Sequence, residues 1–489
     1  GHPDGGRVRN HVVSGTLQLH PQRLFASCPK QRAIATELYE SVRNLPIISP
    51  HGHTDPRWFA DNQPFANPSE LLIQPDHYLL RMLYSQGVSL ESLGIAPQGG
   101  GDPVERDPVE RDPAQVWRRF AEHYHLFRGT PSRLWMDHVL AEVFGIDEVL
   151  TAGTAQVIYA RINDALASPG FLPRALFERF NIEVIATTES PLDPLDAHRQ
   201  LAQDPWPGRV ITAFRPDPVL DPAYEGFSHN VQRLAELSGE ECGSYQGYLN
   251  ALRERRHYFK RFGATATDHG HPSARTEDIS ATECERLYAG ALAGKLDAKE
   301  AERFRGQMLT EMALMSLDDG LVMQIHPGVY RNHNPRLFAG FGRDRGADIP
   351  LPGEFVRGLK PLLDRVGNEP DFTLIQFTLD ETTYARELAP LAGHYPAVLV
   401  GPPWWFHDSP EGMLRYRAQS TETAGFYNTA GFNDDTRAFL SIPARHDVAR
   451  RMDCRFLAPL VSEHRLRLEE AHELAGDLAY HLAKRAYRL

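Results

Sequence analysis

Eight short apolar runs, each ending in a polar or unusual cluster, constrain this chain more than any other feature of its sequence. They are LPIISPHGH from 45, NIEVIATTESP from 181, RVITAFRPD from 209, FGATATDHGHP from 262, GLVMQIHPG from 320, FTLIQFTLD from 372, AVLVGPPWW from 397 and GFYNTAGFNDD from 425. Between most of them lie longer stretches with helical periodicity, such as AERFRGQMLTEMALMSLDDG from 301 and EGMLRYRAQSTETAG from 411. Strand alternating with helix eight times is the pattern of an α/β chain folded as a (β/α)8 TIM-type barrel. A doubly wound open sheet gives a similar alternation, but the first strand-to-helix turn lacks the GxGxxG fingerprint. In a barrel the chemistry gathers at the C-terminal ends of the strands, where the unusual clusters stand.

The spacing of the runs is uneven. Residues 57–180 form a long interval between the first two, with helical stretches around 69–86, 114–126, 131–144, 154–167 and 173–180. The expected organisation is an N-terminal segment (1–44), a catalytic barrel (45–56 and 181–446), a helical insertion subdomain (57–180) and C-terminal helices (447–489) packing on the barrel. The insertion includes GGGDPVERDPVERDPAQ (99–115), whose tandem DPVER repeat reads as a solvated loop. The basic residues of the last segment read as a solvated face.

Composition excludes several functions. A chain of 489 residues that is 42% hydrophobic can bury a large core, and a net charge of −12 argues against a nucleic-acid partner, which needs a concentrated basic surface. No stretch approaches the ~20 apolar residues of a membrane helix, and the first 15 residues lack the apolar core of a secretory leader, so a cytoplasmic address is expected. Cys28, Cys242, Cys284 and Cys454 show no CxxC spacing, so any metal must use histidine and carboxylate ligands.

The first run ends in His51-Gly52-His53. In an extended chain, residues i and i+2 point to one side, so both imidazoles converge just past the strand; the plainer reading is a polar strand end facing water. The eighth run ends in Asp434-Asp435-Thr436-Arg437. Alone, the two aspartates read as a helix N-cap and an exposed turn. In a barrel, however, the eighth strand neighbours the first, so a carboxylate from this cluster can complete a two-His, one-Asp metal site. Arg215 and Arg331 stand where a guanidinium can fork onto a carboxylate, or pair with a surface acid. Trp404 and Trp405 suit the wall of a sugar site, or packing against the inserted helices.

Taken together, SPHGHTDP, PDHYLLRMLYSQG (75–87), ATTESPLDPLDAH (186–198), FRPD (214–217), TDHG (267–270), QIHPGVYRNHN (324–334), WWFHDSPEGM (404–413) and DDTRAFLSIPARHD (434–447) resemble the uronate isomerase (glucuronate isomerase) family of the amidohydrolase superfamily. The resemblance runs in one consistent order from residue 45 nearly to the end. It implies aldose-ketose isomerisation of a hexuronate, glucuronate or galacturonate, through a cis-enediol. It also implies a divalent metal, commonly zinc, on His51, His53 and Asp435, with no nicotinamide or flavin, and a homo-oligomer. Tyr78, Asp435 and Arg437 match the positions for proton transfer, and His326, Asp268 and Arg331 those near substrate. Many members carry an arginine just before WWF, where this chain reads TLDETTYAR (378–386), which leaves Arg386 as a stand-in or the contact missing. A metal-dependent hydrolase on the same barrel and a non-catalytic sugar-acid binding protein are the alternatives. The hydrolase is disfavoured because only His269 and His326 offer further imidazoles at middle strands.

Overall fold

A computed structural model describes residues 15–98 and 107–489. The stretch read as lacking a leader lies almost wholly outside these residues, as does the first DPVER copy. The second copy has no regular secondary structure but is tied down: Glu110 N donates to Glu91 O at 2.9 Å, and the Glu110 carboxylate pairs with Arg119 at 3.1 Å. It is a loop exposed at Asp107, Pro108 and Arg111, as its composition suggests, and anchored through Glu110.

Nine strands are present among the described residues: β1 (Ile47–Ser49), β2 (Ile182–Ala186), β3 (Val210–Ile211), β4 (Ala266–His269), β5 (Val322–Ile325), β6 (Val329–Tyr330), β7 (Ile349–Pro350), β8 (Leu374–Gln376) and β9 (Val398–Val400). One parallel sheet runs β1-β2-β3 and a second runs β4-β5-β8-β9, while β6 and β7 form a small antiparallel ribbon. The ladder itself does not close. Phe214 joins the two sheets by single parallel bridges to Glu189 and Thr267, and Thr429 bridges to Val400 beyond β9. The last contact comes from the turn after the eighth run, where Asp435 N donates to His51 O at 3.3 Å and His53 N to Thr436 O at 3.0 Å. In chain order the eight runs lie side by side and the eighth reaches the first, the succession of a (β/α)8 fold.

The eighth run is the exception to the expected strands. Its residues carry one bridge and no strand, because glycines break the extended path: Gly425 and Gly431 both have positive φ. At Gly431 a side chain would also collide, since an added Cβ would lie 2.7 Å from Ala483 N in the closing helix Leu482–Ala486. Only glycine satisfies both conditions.

Helices fill the intervals. The two quoted helical stretches become Ala298–Asp319 and Pro410–Ala424, each with a side-chain N-cap, from Asp297 and Ser409. Between β1 and β2 the chain forms Pro56–Asp61, Ser69–Ile73, His77–Ser85, Pro113–Glu122, Pro131–His138, Val139–Val143, Ala155–Leu166 and Pro173–Arg179, among other short turns. Their apolar faces, including Trp117, Phe120 and Leu140, share one core with Ile47 and Ile182 of β1 and β2 and with Phe439. A second core lies between the strands β4, β5, β8 and β9 and their covering helices, around Phe259, Met308, Met323 and Leu374.

The C-terminal region differs from expectation in two ways. Its first helix spans Ile442–Ser462, so a boundary at 447 falls inside one helix. Its basic residues are only in part a solvated face: Arg465, Arg467, Arg485 and Arg488 are exposed, but Arg450 and Arg451 are buried. Arg450 donates to the carbonyls of Leu45 and Pro46 at 2.9 Å each, just past the C-terminal end of the helix Pro29–Val42, where backbone carbonyls lack partners. Arg451 pairs with Asp447 at 2.8 Å and lies over the Tyr39 ring at 4.2 Å. These contacts hold the entry to β1, and hence the histidines at its far end.

Candidate functional site

The C-terminal ends of the parallel strands open into a cavity of about 570 Å³. Its walls include His51, His53, Tyr78, Arg215, His326, Arg331, Trp404, Asp435 and Arg437, while Asp268, fully buried, lies directly beneath Arg215 and His326. The residues expected to act as metal ligands, in proton transfer or at the substrate therefore meet at one place. Arg386 does not: it is exposed and forked onto Glu387 at 2.6 Å, so it supplies no contact to the cavity. The cavity wall also carries Arg331 and Arg343, from the segment between β5 and β8.

Asp435 Oδ1 lies 2.9 Å from His53 Nε2 and 3.3 Å from His51 Nε2. It is nevertheless buried without a properly directed hydrogen bond, as is His51 Nδ1. Asp435 reaches the histidines because its backbone takes φ +42°, a left-handed conformation that aspartate tolerates better than most residues. Burial raises the Asp435 carboxyl, but the two imidazoles overcome this and hold it well below the usual carboxylate range. Two imidazoles and an ionised carboxylate converging without a directed proton between them fit a divalent cation. Among the described residues one ligand atom from each of the three lies within 4.8 Å of the others, and a second such group is His51, Asp268 and His326.

Asp434 turns the other way. It is buried, neither an exposed turn residue nor a cap, and its Oδ2 lies 2.8 Å from His446 Nε2. The cap-and-turn reading of the pair fails because packing against the segment after β1 buries Asp434 and leaves Asp435 only partly accessible, on the cavity wall.

Asp268 holds the cavity floor. Its Oδ1 accepts from His326 Nδ1 at 2.6 Å and its Oδ2 from Arg215 Nη1 at 2.9 Å. Burial works against ionisation here too, yet His326, Arg215 and His51 keep the carboxyl well below the ordinary range. With Nδ1 committed, His326 Nε2 is buried without a partner. The His326 ring lies stacked between His51 at 4.8 Å and Phe377 at 3.8 Å, with Trp404 edge-on at 4.7 Å. Trp404 thus orients His326 besides walling the cavity. Arg437 pairs with Asp344 at 3.3 Å, with both side chains partly exposed.

Tyr78 sits in the first turn of the helix His77–Ser85, whose N-cap Asp76 accepts from Leu79 N at 3.1 Å. Its hydroxyl donates to Asp408 and accepts from Phe406 N at 2.7 Å. With its proton given to Asp408, it can offer a ligand only a remaining lone pair. Asp408 stood inside the quoted WWFHDSPEGM stretch, but no sequence signal ties it to a tyrosine 330 positions away.

Glu189, also unforeseen, lines the cavity at the end of β2 and accepts from Thr187 and Thr212 at 2.6 Å each. Burial pushes its carboxyl up to about 7, and His198 beside it, itself lowered to about 4 by burial, is neutral and gives no counter-charge. Between the ordinary carboxylate range and about 7 the folded chain holds a proton that the unfolded chain has released, so this residue's contribution to stability falls as pH rises through that window. Relative to Glu189→Gln, the native chain is expected to lose on the order of 2 kcal/mol between pH 5 and 8. Parallel melts of the two proteins check this, and a constant difference across the range contradicts it.

A two-histidine, one-aspartate group under an arginine-rimmed cavity, at the C-terminal ends of strands in (β/α)8 succession, defines a barrel enzyme with a metal-competent site for a small anion. Comparison with known proteins agrees. The chain belongs to the glucuronate isomerase family, whose profile matches residues 28–487. It is 64% identical over 477 residues to the uronate isomerase of Sphingopyxis alaskensis, covering 97% of this chain and 99% of that one. Its fold superposes on the crystal structure of glucuronate isomerase from Caulobacter crescentus with a TM-score of 0.94 at 57% identity, covering 97% of each chain. The uronate isomerase of Thermotoga maritima gives 0.88 at 26% identity, covering 96% of this chain and 99% of that one.

Proposed function

We propose that this protein is a uronate isomerase that interconverts an aldohexuronate, glucuronate or galacturonate, with its ketohexuronate. The observation that carries the reading is the meeting of Asp435 with His51 and His53, from opposite ends of the chain, beneath a cavity that also presents arginines. Its relatives support the reading, and they leave the hydrolase and the silent binding protein without support.

Arg331 fits the substrate carboxylate. Its neighbour Arg215 is already engaged by Asp217 and Asp268, whereas among the described residues Arg331 has only a 3.4 Å ion pair with Asp348. Burial, and then the charge of Arg215, lower its pKa, which marks a guanidinium short of negative charge. The open-chain substrate then lies with carbons 1 and 2 over the histidine end of the cavity. Asp435 takes the proton from carbon 2, giving a cis-enediol, and returns it to carbon 1. The proton of the carbon 2 hydroxyl passes to the carbonyl oxygen of carbon 1, so aldehyde becomes alcohol and alcohol becomes ketone. His326 Nε2 accepts a hydrogen bond from one of these hydroxyls, the Tyr78 oxygen accepts from another, and Arg437 offsets the negative charge that develops on oxygen. His51, His53 and Asp435 would hold a divalent cation, zinc in this reading, which would supply Lewis acidity.

Incubating the protein with a panel of uronates and neutral aldoses, without nicotinamide or flavin, tests the proposal. Ketose formation from a uronate supports it, and isomerisation of neutral sugars only, or of none, overturns it. Within that assay Arg331→Met is expected to raise KM for the uronate by roughly 10- to 100-fold, with a smaller change in kcat, because a carboxylate contact remote from carbon 2 acts mainly on binding. An unchanged KM would remove Arg331 from the carboxylate site.

A further inference from the structure

The chain leaves β4 through Asp268-His269-Gly270-His271, a second pair of histidines one residue apart, and the reaction proposed above uses neither imidazole. Both are buried, at 0% and 2% exposure, and both face Asp217 from the segment after β3. One ligand atom from each of Asp217, His269 and His271 lies within 4.8 Å of the other two, and His271 Nε2 is 3.7 Å from Asp217 Oδ1.

The hydrogen bonding around this group is incomplete in a specific way. His269 Nε2 lies 3.1 Å from Thr267 Oγ1; with that nitrogen donating to the hydroxyl, the lone pair of the ring is on Nδ1. Among the described residues His269 Nδ1 is buried with no hydrogen-bond partner, and so are both ring nitrogens of His271. A buried polar atom left without a partner is costly, so three together point to an occupant that satisfies them. Burial holds both imidazoles below their ordinary pKa, hence neutral, the form that ligates metal. Asp217 receives Gly270 N on both oxygens, at 3.0 and 3.3 Å, and Arg215 Nε on Oδ2 at 3.1 Å, which leaves Oδ1 as the oxygen turned toward His271.

Arg215 is shared between Asp217 and Asp268, Arg305 is paired with Asp221 at 3.0 Å, and Arg331 also feels the charge of Asp217, so the donor chemistry rather than a count of charges selects the occupant. Two imidazole nitrogens and one carboxylate oxygen suit zinc, cobalt or nickel, whereas magnesium and calcium take oxygen donors. We propose that Asp217, His269 and His271 form a second site for a divalent transition-metal ion, separate from the group at His51, His53 and Asp435. Occupied, it pins the Gly270 turn and Asp217 together. The turn is already packed so tightly that a Cβ on Gly270 would lie 2.2 Å from Arg215 Nη2, so the ion fixes Arg215 on the cavity wall.

The test uses full-length protein stripped with a chelator and resupplied with Co²⁺ alone. Crystals measured at the cobalt absorption edge are expected to show an anomalous peak between Asp217, His269 and His271. A non-anomalous feature there, an ordered water, overturns the proposal, as does a peak at His51, His53 and Asp435 only. A peak at the second site alone supports it while removing the metal from the first. In solution, His51→Asn/His53→Asn is expected to retain about one cobalt per chain after desalting, and the further change His271→Asn to release it. Folded double variant without cobalt contradicts the proposal; should that variant fail to fold, the anomalous map of the unaltered chain decides.

Discussion

Asp435→Asn is expected to lower uronate turnover by at least ~10²-fold, the usual cost of removing a general base, whereas Asp434→Asn lowers it far less. The two side chains differ by one position, Asp434 buried and Asp435 partly accessible on the cavity wall. Their surroundings differ as well. Asp435 Oδ1 lies within 3.3 Å of both histidine Nε2 atoms, while Asp434 Oδ2 faces His446 at 2.8 Å, away from the cavity lining. Asparagine at 435 keeps the volume but brings an amide in place of an ionised carboxylate, removing the proton acceptor and weakening any cation held there. Asparagine at 434 weakens a structural contact, so its effect belongs in the melting temperature. Solvent-deuterium exchange at carbon 2 gives an independent readout and should vanish with Asp435→Asn. Equal losses for the two variants, or a larger one at 434, would show that the base has been misassigned.

The second large effect is expected at Asp268. Asp268→Asn removes the charge that binds both Arg215 and His326, and places an amide against a guanidinium that needs an acceptor. Breaking a buried pair in this way costs about 3 kcal/mol, even with Asp217 still on Arg215. Activity falls as well, because His326 loses the partner that fixes its proton on Nδ1 and leaves Nε2 toward ligand. Denaturation midpoint and kcat/KM should therefore drop together. A variant of native stability with reduced kcat/KM would instead make Asp268 a group that meets substrate directly, and full activity would remove it from the site.

Much of the site was legible because it is local. The two histidines of HGH converge because side chains two apart on an extended segment share a side, and seven of the eight apolar runs form the strands expected of them, since alternation of strand and helix is written in short-range periodicity. The stretches read as helical are likewise helical in the structure, with proline at the first positions and side-chain caps at several.

What the sequence by itself determined is thus the class of fold, the strand ends that carry chemistry and the residue types available there. The tertiary structure decided which of two adjacent aspartates faces the histidines, through a left-handed backbone at Asp435 and the contact between the eighth run and β1. It turned Arg386 outward, buried arginines that composition places in water, aimed the Tyr78 hydroxyl at Asp408 as a hydrogen-bond donor and brought Asp217 to His269 and His271. Each of these depends on partners far apart in the chain, or on a backbone angle set by packing. Periodicity and spacing carry no information about which distant groups will compete for one proton or one charge, and that competition is resolved only when the chain is folded.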